Sequence, residues 1–295
     1  MFNRVLMIGA GMNLSPLKIA AAAAGLALVT AAPADSQAPA APSPSYADVA
    51  DLALSAPIAA HVRVLSAVAL KPERAPGLGS GLARFVVDAA IVSLIRAPEG
   101  LASRVSYVVD LPRDAKGRAP KLKKGTQFLL LAARVPGRGG EVRLVAPDAQ
   151  LPFAPQTAEQ IRAVLREATA PGAPPRITGI GRAFNVPGAI PGESETQIFL
   201  LTADNRPVSL NVLRRPGQTP LWSVALSEIV DDAAAPPERG TLLWYRLACT
   251  LPRVLPRQSL AEADSAGAAA IQADYRLVMD RLGPCGRTRA PGSRP

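Results

Sequence analysis

Apolar and polar side chains alternate with a period of two along residues 61–68, as in a strand with one face buried. The same texture, rich in β-branched and aromatic residues, returns over residues 84–95, 104–111, 126–133 and 141–145. Turn residues close each run: the flexible glycine-rich loop 77–81, Pro112 with the basic turn that follows it, then Pro136-Gly137 and Gly139-Gly140. Ahead of these strands, residues 46–54 read as a short helix or turn. After Pro155 the period lengthens to that of a helix. Thr157 is placed as its N-cap with Gln160 three residues on, and Ile161, Val164 and Leu165 share one face up to about Ala168.

The second half repeats this rhythm. Residues 176–184 read as a strand in which Gly179 and Gly181 mark a bulge or a close backbone approach. Residues 197–202 and 208–213 flank Asp204-Asn205, a good hairpin turn. Residues 221–230 and 241–249 supply two more strands, the latter placing Trp244 and Tyr245 on opposite faces. Residues 261–282 form a helix with Ile271, Tyr275, Val278, Met279 and Leu282 on one stripe. The expected fold is mostly β: two small antiparallel β-barrel or sandwich modules, residues 47–170 and 176–286, each followed by a helix. A Pro-rich linker, 171–175, separates them, and residues 287–295 read as a disordered tail. Strands followed by a helix, twice over, hint at an internal duplication.

The N-terminus follows neither period. Lys18 precedes an uncharged apolar stretch from Ile19 to Ala32, closed by Pro33-Ala34. A basic start, a short hydrophobic segment and a small-x-small exit make residues 1–34 a secretory signal peptide, with the mature chain starting near Asp35. Translation from Met12 instead of Met1 would leave the same signal with a more ordinary basic start. The stretch is too short for a comfortable membrane span, and no later run approaches the about 20 apolar residues that one needs. Residues 35–46, rich in Ala, Pro and Ser, read as a disordered tether. No cysteine stands near the cleavage site, so the expected product is not lipid-anchored and is soluble in the periplasm or outside the cell. In such a compartment Cys249 and Cys285 are expected to close a disulfide, a structural staple rather than a redox or metal centre.

Charge adds a class of partner. The chain of 295 residues carries a formal charge of +10, which becomes +8 without Arg4 and Lys18 of the signal. Such an excess favours an anionic cell-surface component or an envelope protein. The cations cluster only at Lys121, Lys123 and Lys124 and at Arg214-Arg215, with no aromatic residues interleaved, so no specific nucleic acid is expected. Both clusters read as solvated turns.

Few residues carry recognisable chemistry. His61 is the single histidine, which excludes a His-rich metal site and leaves any triad to this one side chain, unaccompanied by a Gly-x-Ser-x-Gly elbow. Gly179-Ile180-Gly181 and the glycines at 77, 79 and 81 lack the rest of a dinucleotide or phosphate-binding fingerprint. Neither a cofactor nor a metal is expected. Asp231-Asp232 and the Glu193/Glu195 pair are carboxylates at loop edges. The candidate binding residues are Arg214, Arg215, Trp222, Trp244 and Tyr245, since an exposed aromatic beside paired arginines would recognise a sugar or peptide; core packing is the competing role for the aromatics.

Five strands, the basic turn Lys123-Lys124-Gly125, the strand Phe128-Leu129-Leu130-Leu131 and the helix after them give residues 47–168 an order that resembles a netrin- or tissue-inhibitor-type OB barrel. The resemblance implies an OB-like first module. Protease inhibition in that family uses an N-terminal cysteine and disulfides absent here, so a protease-inhibitor-like role is a third reading only. The leading expectation is an exported, non-catalytic binding or envelope-associated protein, and the second is a periplasmic hydrolase acting through His61 or the acidic loops.

Overall fold

The computed structural model describes residues 44–227 and 234–289. The expected signal peptide, nearly all of the expected tether, the end of the 221–230 run, Asp231-Asp232 and residues 290–295 lie outside them. The first element is helix α1 (Tyr46–Ser55), part of which falls in the expected tether. It starts on a reciprocal cap in which the Asp48 amide donates to Ser45 Oγ and the Ser45 amide donates to the Asp48 carboxylate, both at 3.1 Å.

Strands β1 (Ile58–Ala69), β2 (Leu82–Arg96), β3 (Arg104–Pro112), β4 (Gln127–Arg134), β5 (Val142–Leu144) and β6 (Gln150–Pro152) make one antiparallel sheet. Its order is β3-β2-β1-β4-β5, with β6 also on β4. Inner-face residues of all five strands in that path, Val62, Val87, Tyr107, Leu130 and Val142 among them, pack into one cluster, so the sheet curls over its own core. It does not close into a barrel. Strands β3 and β5 lie close but share only an isolated parallel bridge, Ser106 with Glu141 just before β5, where the Ser106 amide donates to the Gly140 carbonyl at 2.8 Å.

The outer faces of β1 and β4 are covered by α1 and by α2 (Pro155–Thr169), through Leu52, Ala59, Leu129, Leu131, Ile161 and Val164. Burial on both faces is why Phe128 to Ala132 reads as an unbroken apolar run. The predicted cap of α2 is corrected. Ala154 is the N-cap, Pro155 supplies the first turn with its preset φ, and Thr157 lies inside the helix with no capping box.

The second sheet is a meander, β10-β9-β8-β7, built from β7 (Ile177–Pro187), β8 (Ser194–Thr202), β9 (Val208–Arg214) and β10 (Leu221–Ala225). Asn205 turns the β8–β9 hairpin at φ 57°, a left-handed backbone that asparagine tolerates. Pairing between β7 and β8 shifts register on both sides of Gly179-Ile180, and a side chain at either glycine would meet Leu201 at 3.4 Å. Of the expected bulge or close backbone approach, the bulge is present.

The predicted strand 241–249 is instead helix α3 (Leu242–Ala248), capped by Thr241 Oγ1, which accepts from the Trp244 amide at 3.3 Å. The segment is apolar at nearly every position, so neither a period of two nor one of 3.6 stands out. A 3-10 turn (Arg257–Leu260) then leads to α4 (Ser265–Leu282), which begins after an Asp264 cap rather than at 261. All the predicted stripe residues of α4 are buried against the second sheet. Among the described residues this half has four strands in meander order, which does not repeat the topology of the first.

Both sheets lie in one compact unit, Ser43–Pro295. The rings of Tyr46 and Tyr245 pack against the cores of both, and Glu167 near the end of α2 accepts from the Leu242 amide that opens α3, at 2.7 Å.

The segment after α4 is a strap across α1. The disulfide Cys249–Cys285, with Cα atoms 4.8 Å apart, fixes it to the C-cap of α3, so Cys249 stands at a helix end and not on a strand. Beyond it, Arg287 pairs with Asp51 at 2.5 Å, the amides of Thr288 and Arg289 donate to Asp48 at 2.9 and 3.0 Å, and Arg289 pairs with Asp148 at 2.8 Å. Residues 287–289 are therefore held, where the sequence reading begins a disordered tail.

Burial of Asp48 opposes its ionisation, but hydrogen bonds from Thr288, Arg289 and Ser45 outweigh it and hold the carboxyl below its ordinary value. A depressed folded pKa contributes stability that is complete above the ordinary value of 3.8 and lost as pH falls through the lower folded one. The protection of the Thr288 and Arg289 amides, relative to their intrinsic exchange rate at each pH, is therefore expected to fall below that pH while β1 and β4 stay protected. Loss of protection everywhere at once would show that Asp48 does not hold the strap.

Candidate functional site

The predicted aromatic–arginine constellation does not assemble as one exposed site. Trp244 is buried, with its indole Nε1 donating to the Leu282 carbonyl at 2.9 Å and its ring edge-on to Tyr46. Tyr245 donates to Asp51 at 2.5 Å; burial first, and then this hydrogen bond to Asp51, push its hydroxyl pKa up to about 12. Arg214 reaches inward to the fully buried carboxylate of Asp274 on α4 at 2.6 Å. Trp222 is half-buried opposite Val212, on the same sheet face as Arg214, and packs on the core. Only Arg215, just past β9, is exposed.

His61 is structural in its surroundings. Its ring stacks on Phe153 with centroids 3.8 Å apart, and Nε2 lies 2.6 Å from the side-chain oxygen of Gln127. Lys121, Lys123 and Lys124 are exposed in the loop before β4, and Glu193 precedes β8, where Glu195 is exposed.

A different group of polar residues converges on the outer face of the first sheet. In β2, Val87 and Ala89 point inward, so alternation turns Asp88 outward. In β3, Val105 and Tyr107 point inward and Ser106 outward, directly opposite Asp88. The β1 residue would fall on the wrong face, because Val62 and Val64 are interior and Ser66 should follow them. Pairing with β2 slips between Val64 and Ser66, and this bulge restores the outward aim: Ala67 turns toward the core and Ser66 stands opposite Asp88.

The result is a row across three strands. Ser106 Oγ donates to one Asp88 oxygen at 2.6 Å and Ser66 Oγ to the other at 2.9 Å. These two bonds, that from Ser106 first, hold the carboxyl below the usual range, so Asp88 is an anion at neutral pH. Among the described residues no cation pairs with it.

The row lies in a cleft of about 750 Å³ walled by the β4–β5 loop, where Arg138 and Glu141 pair at 3.0 Å. Arg104 adds an exposed guanidinium to the same cleft, with no ion-pair partner among the described residues. A second hollow of about 620 Å³ shares Ser106 and Glu141 with it and is lined by Val86, Val108 and Val135 at the open seam between β3 and β5. Val108 is 47% exposed there.

Chemically, the cleft offers a fixed carboxylate, a free guanidinium, two hydroxyls and an apolar flank. That set binds and orients polar groups. It contains no histidine, cysteine or second carboxylate touching Asp88. No group of three or more metal-ligating side chains occurs among the described residues. Ser66, Arg104 and Ser106 carry no mark in the sequence; the one available signal was Asp88 itself, a charge between Val87 and Ala89 in mid-strand. Comparison with known protein families finds no match, and comparison with curated protein sequences finds none either.

Proposed function

We propose that the chain is an exported, non-catalytic binding protein of the cell envelope, and that the cleft around Asp88 is its binding site. The observation that carries this reading is Asp88: a charged carboxylate, oriented by two hydroxyls and left without a cation, in the cleft beneath the β4–β5 loop. An ion held this way is prepared for a partner from outside, because two serine hydroxyls orient a charge without neutralising it. Strand order supports an OB-like reading of the first sheet. The 3-2-1-4-5 path, with β5 approaching β3 in parallel, has the character of a partly open OB barrel, whose strand face and β4–β5 loop form the common ligand surface.

Retention of the full-length chain on isolated envelope tests this directly. The Asp88→Ala variant is expected to bind about tenfold less tightly, the effect of losing one charge-assisted contact, while staying folded with only a small loss of thermal stability from its two exposed serine hydrogen bonds. Unchanged retention would remove Asp88 from the binding site.

Export is supported by the basic start and apolar segment of residues 1–34 and by the cysteine pair, which suits an oxidising compartment. Protein recovered from the periplasm or the medium is expected to begin near Asp35 on N-terminal sequencing. An unprocessed chain confined to the cytoplasm would contradict it.

A further inference from the structure

The binding-cleft reading leaves its ligand unnamed, and the charges in the cleft narrow it. Asp88 stands opposite Ser106, and Arg104 precedes Ser106 by two positions on β3. Asp88 and Arg104 are thus diagonal neighbours on one face, about 7–8 Å apart. Opposite charges at that spacing could pair with each other, yet each faces the cleft without an internal ion partner among the described residues. The two charges are held apart and on the same side. An uncharged ligand would leave both unmatched, a pure anion would be repelled by Asp88, and a pure cation would be repelled by Arg104.

The remaining chemistry is a zwitterion. Beside it lies the apolar hollow of Val86, Val108 and Val135, which borders the cleft at Ser106 and Glu141 and suits an aliphatic chain. We infer that the cleft takes the head group of an α-amino acid, its ammonium against Asp88 and its carboxylate against Arg104, with the aliphatic side chain lying toward Val108. This inference rests on the cleft being the binding site. Such a head group occurs on a free amino acid, and also at the outer end of a diamino acid whose other amine is acylated to a polymer.

Calorimetric titration of the full chain separates these. Leucine is the free-acid probe and Nε-acetyl-lysine the acylated one, with N-acetyl-leucine and leucinamide as controls that each lack one charge. At least one of the first two probes is expected to bind, and both controls about tenfold more weakly, the loss of one charge-assisted contact apiece. Preference for Nε-acetyl-lysine assigns the polymer-borne source, and preference for leucine the free one. Asp88→Asn is expected to abolish the discrimination against N-acetyl-leucine, and Arg104→Gln that against leucinamide. Controls that bind as well as leucine would overturn the inference. So would the absence of all binding while a photoreactive group in the cleft still captures an envelope component, and in that case the cleft itself stands. Absence of both binding and capture would overturn cleft and ligand together.

Discussion

Replacing Cys249 and Cys285 with serine is expected to lower the stability of the chain by about 3–4 kcal/mol. The bond closes a loop across a sequence separation of 36, and restraint of the unfolded chain over such a loop accounts for that magnitude in the chain-entropy picture. Its place in the fold adds a local consequence. Cys285 lies in the strap two residues before Arg287, so the strap joins the α3 cap, through the disulfide, to Asp48 and Asp51 of α1 and to Asp148. Without the bond, these ion pairs must hold the segment alone. Denaturant titration of the double-serine variant should show the lower midpoint, and hydrogen exchange should show Thr288 and Arg289 opening before the sheets. A loss below about 1 kcal/mol would mean that the carboxylate contacts suffice and the bond is dispensable.

Arg214→Met is expected to cost about 3 kcal/mol, although Arg214 first reads as a binding residue. Asp274 has no exposed surface, and it receives Arg214 Nε at 2.6 Å and Thr196 Oγ1 at 2.5 Å. Asn185 in turn donates to Thr196 at 2.8 Å, so the chain of contacts runs from β7 through β8 to α4 and back to β9. Removing the guanidinium strands a buried carboxylate on a single hydroxyl, and an uncompensated buried charge typically costs about 3–5 kcal/mol. The Arg214 side chain is 35% exposed, which lets water reach the site and places the effect at the low end. The double variant Arg214→Met, Asp274→Asn should recover part of the loss, as two groups of one pair do. If Arg214→Met melts with the wild type, Asp274 is not a charged partner in the folded chain.

Residues with one buried face announced themselves. The strands β1 to β3 and β7 to β9 were legible because inward and outward side chains alternate, β4 as a short apolar run bounded by turn residues, and α4 because its apolar stripe has one period over eighteen residues. The apolar segment before Cys249 was not. Leu242 to Ala248 sits between two cores and shows no polar face to set its period, so the helix read as a strand. Pro155 rather than Thr157 opens α2, a case where a preset φ replaced a capping hydroxyl. Arg214, Trp244 and Tyr245 looked like surface recognition residues only because Asp274, Leu282 and Asp51, their partners, are distant in sequence. The same distance hid the cleft. Ser66, Asp88 and Ser106 come from three strands, and they align only because of a bulge at Leu65 that nothing in the local composition marks.

The central claim, that the Asp88 cleft is where this chain meets its ligand, is tested most directly by photo-crosslinking in the cell. A benzophenone side chain at Arg138, on the cleft wall, is compared with one at Phe199, an exposed position on the second sheet. The expected result is one envelope adduct from position 138, lost when Asp88→Ala is added, and none from 199. An adduct from 199 alone, or one from 138 that persists without Asp88, would contradict the account.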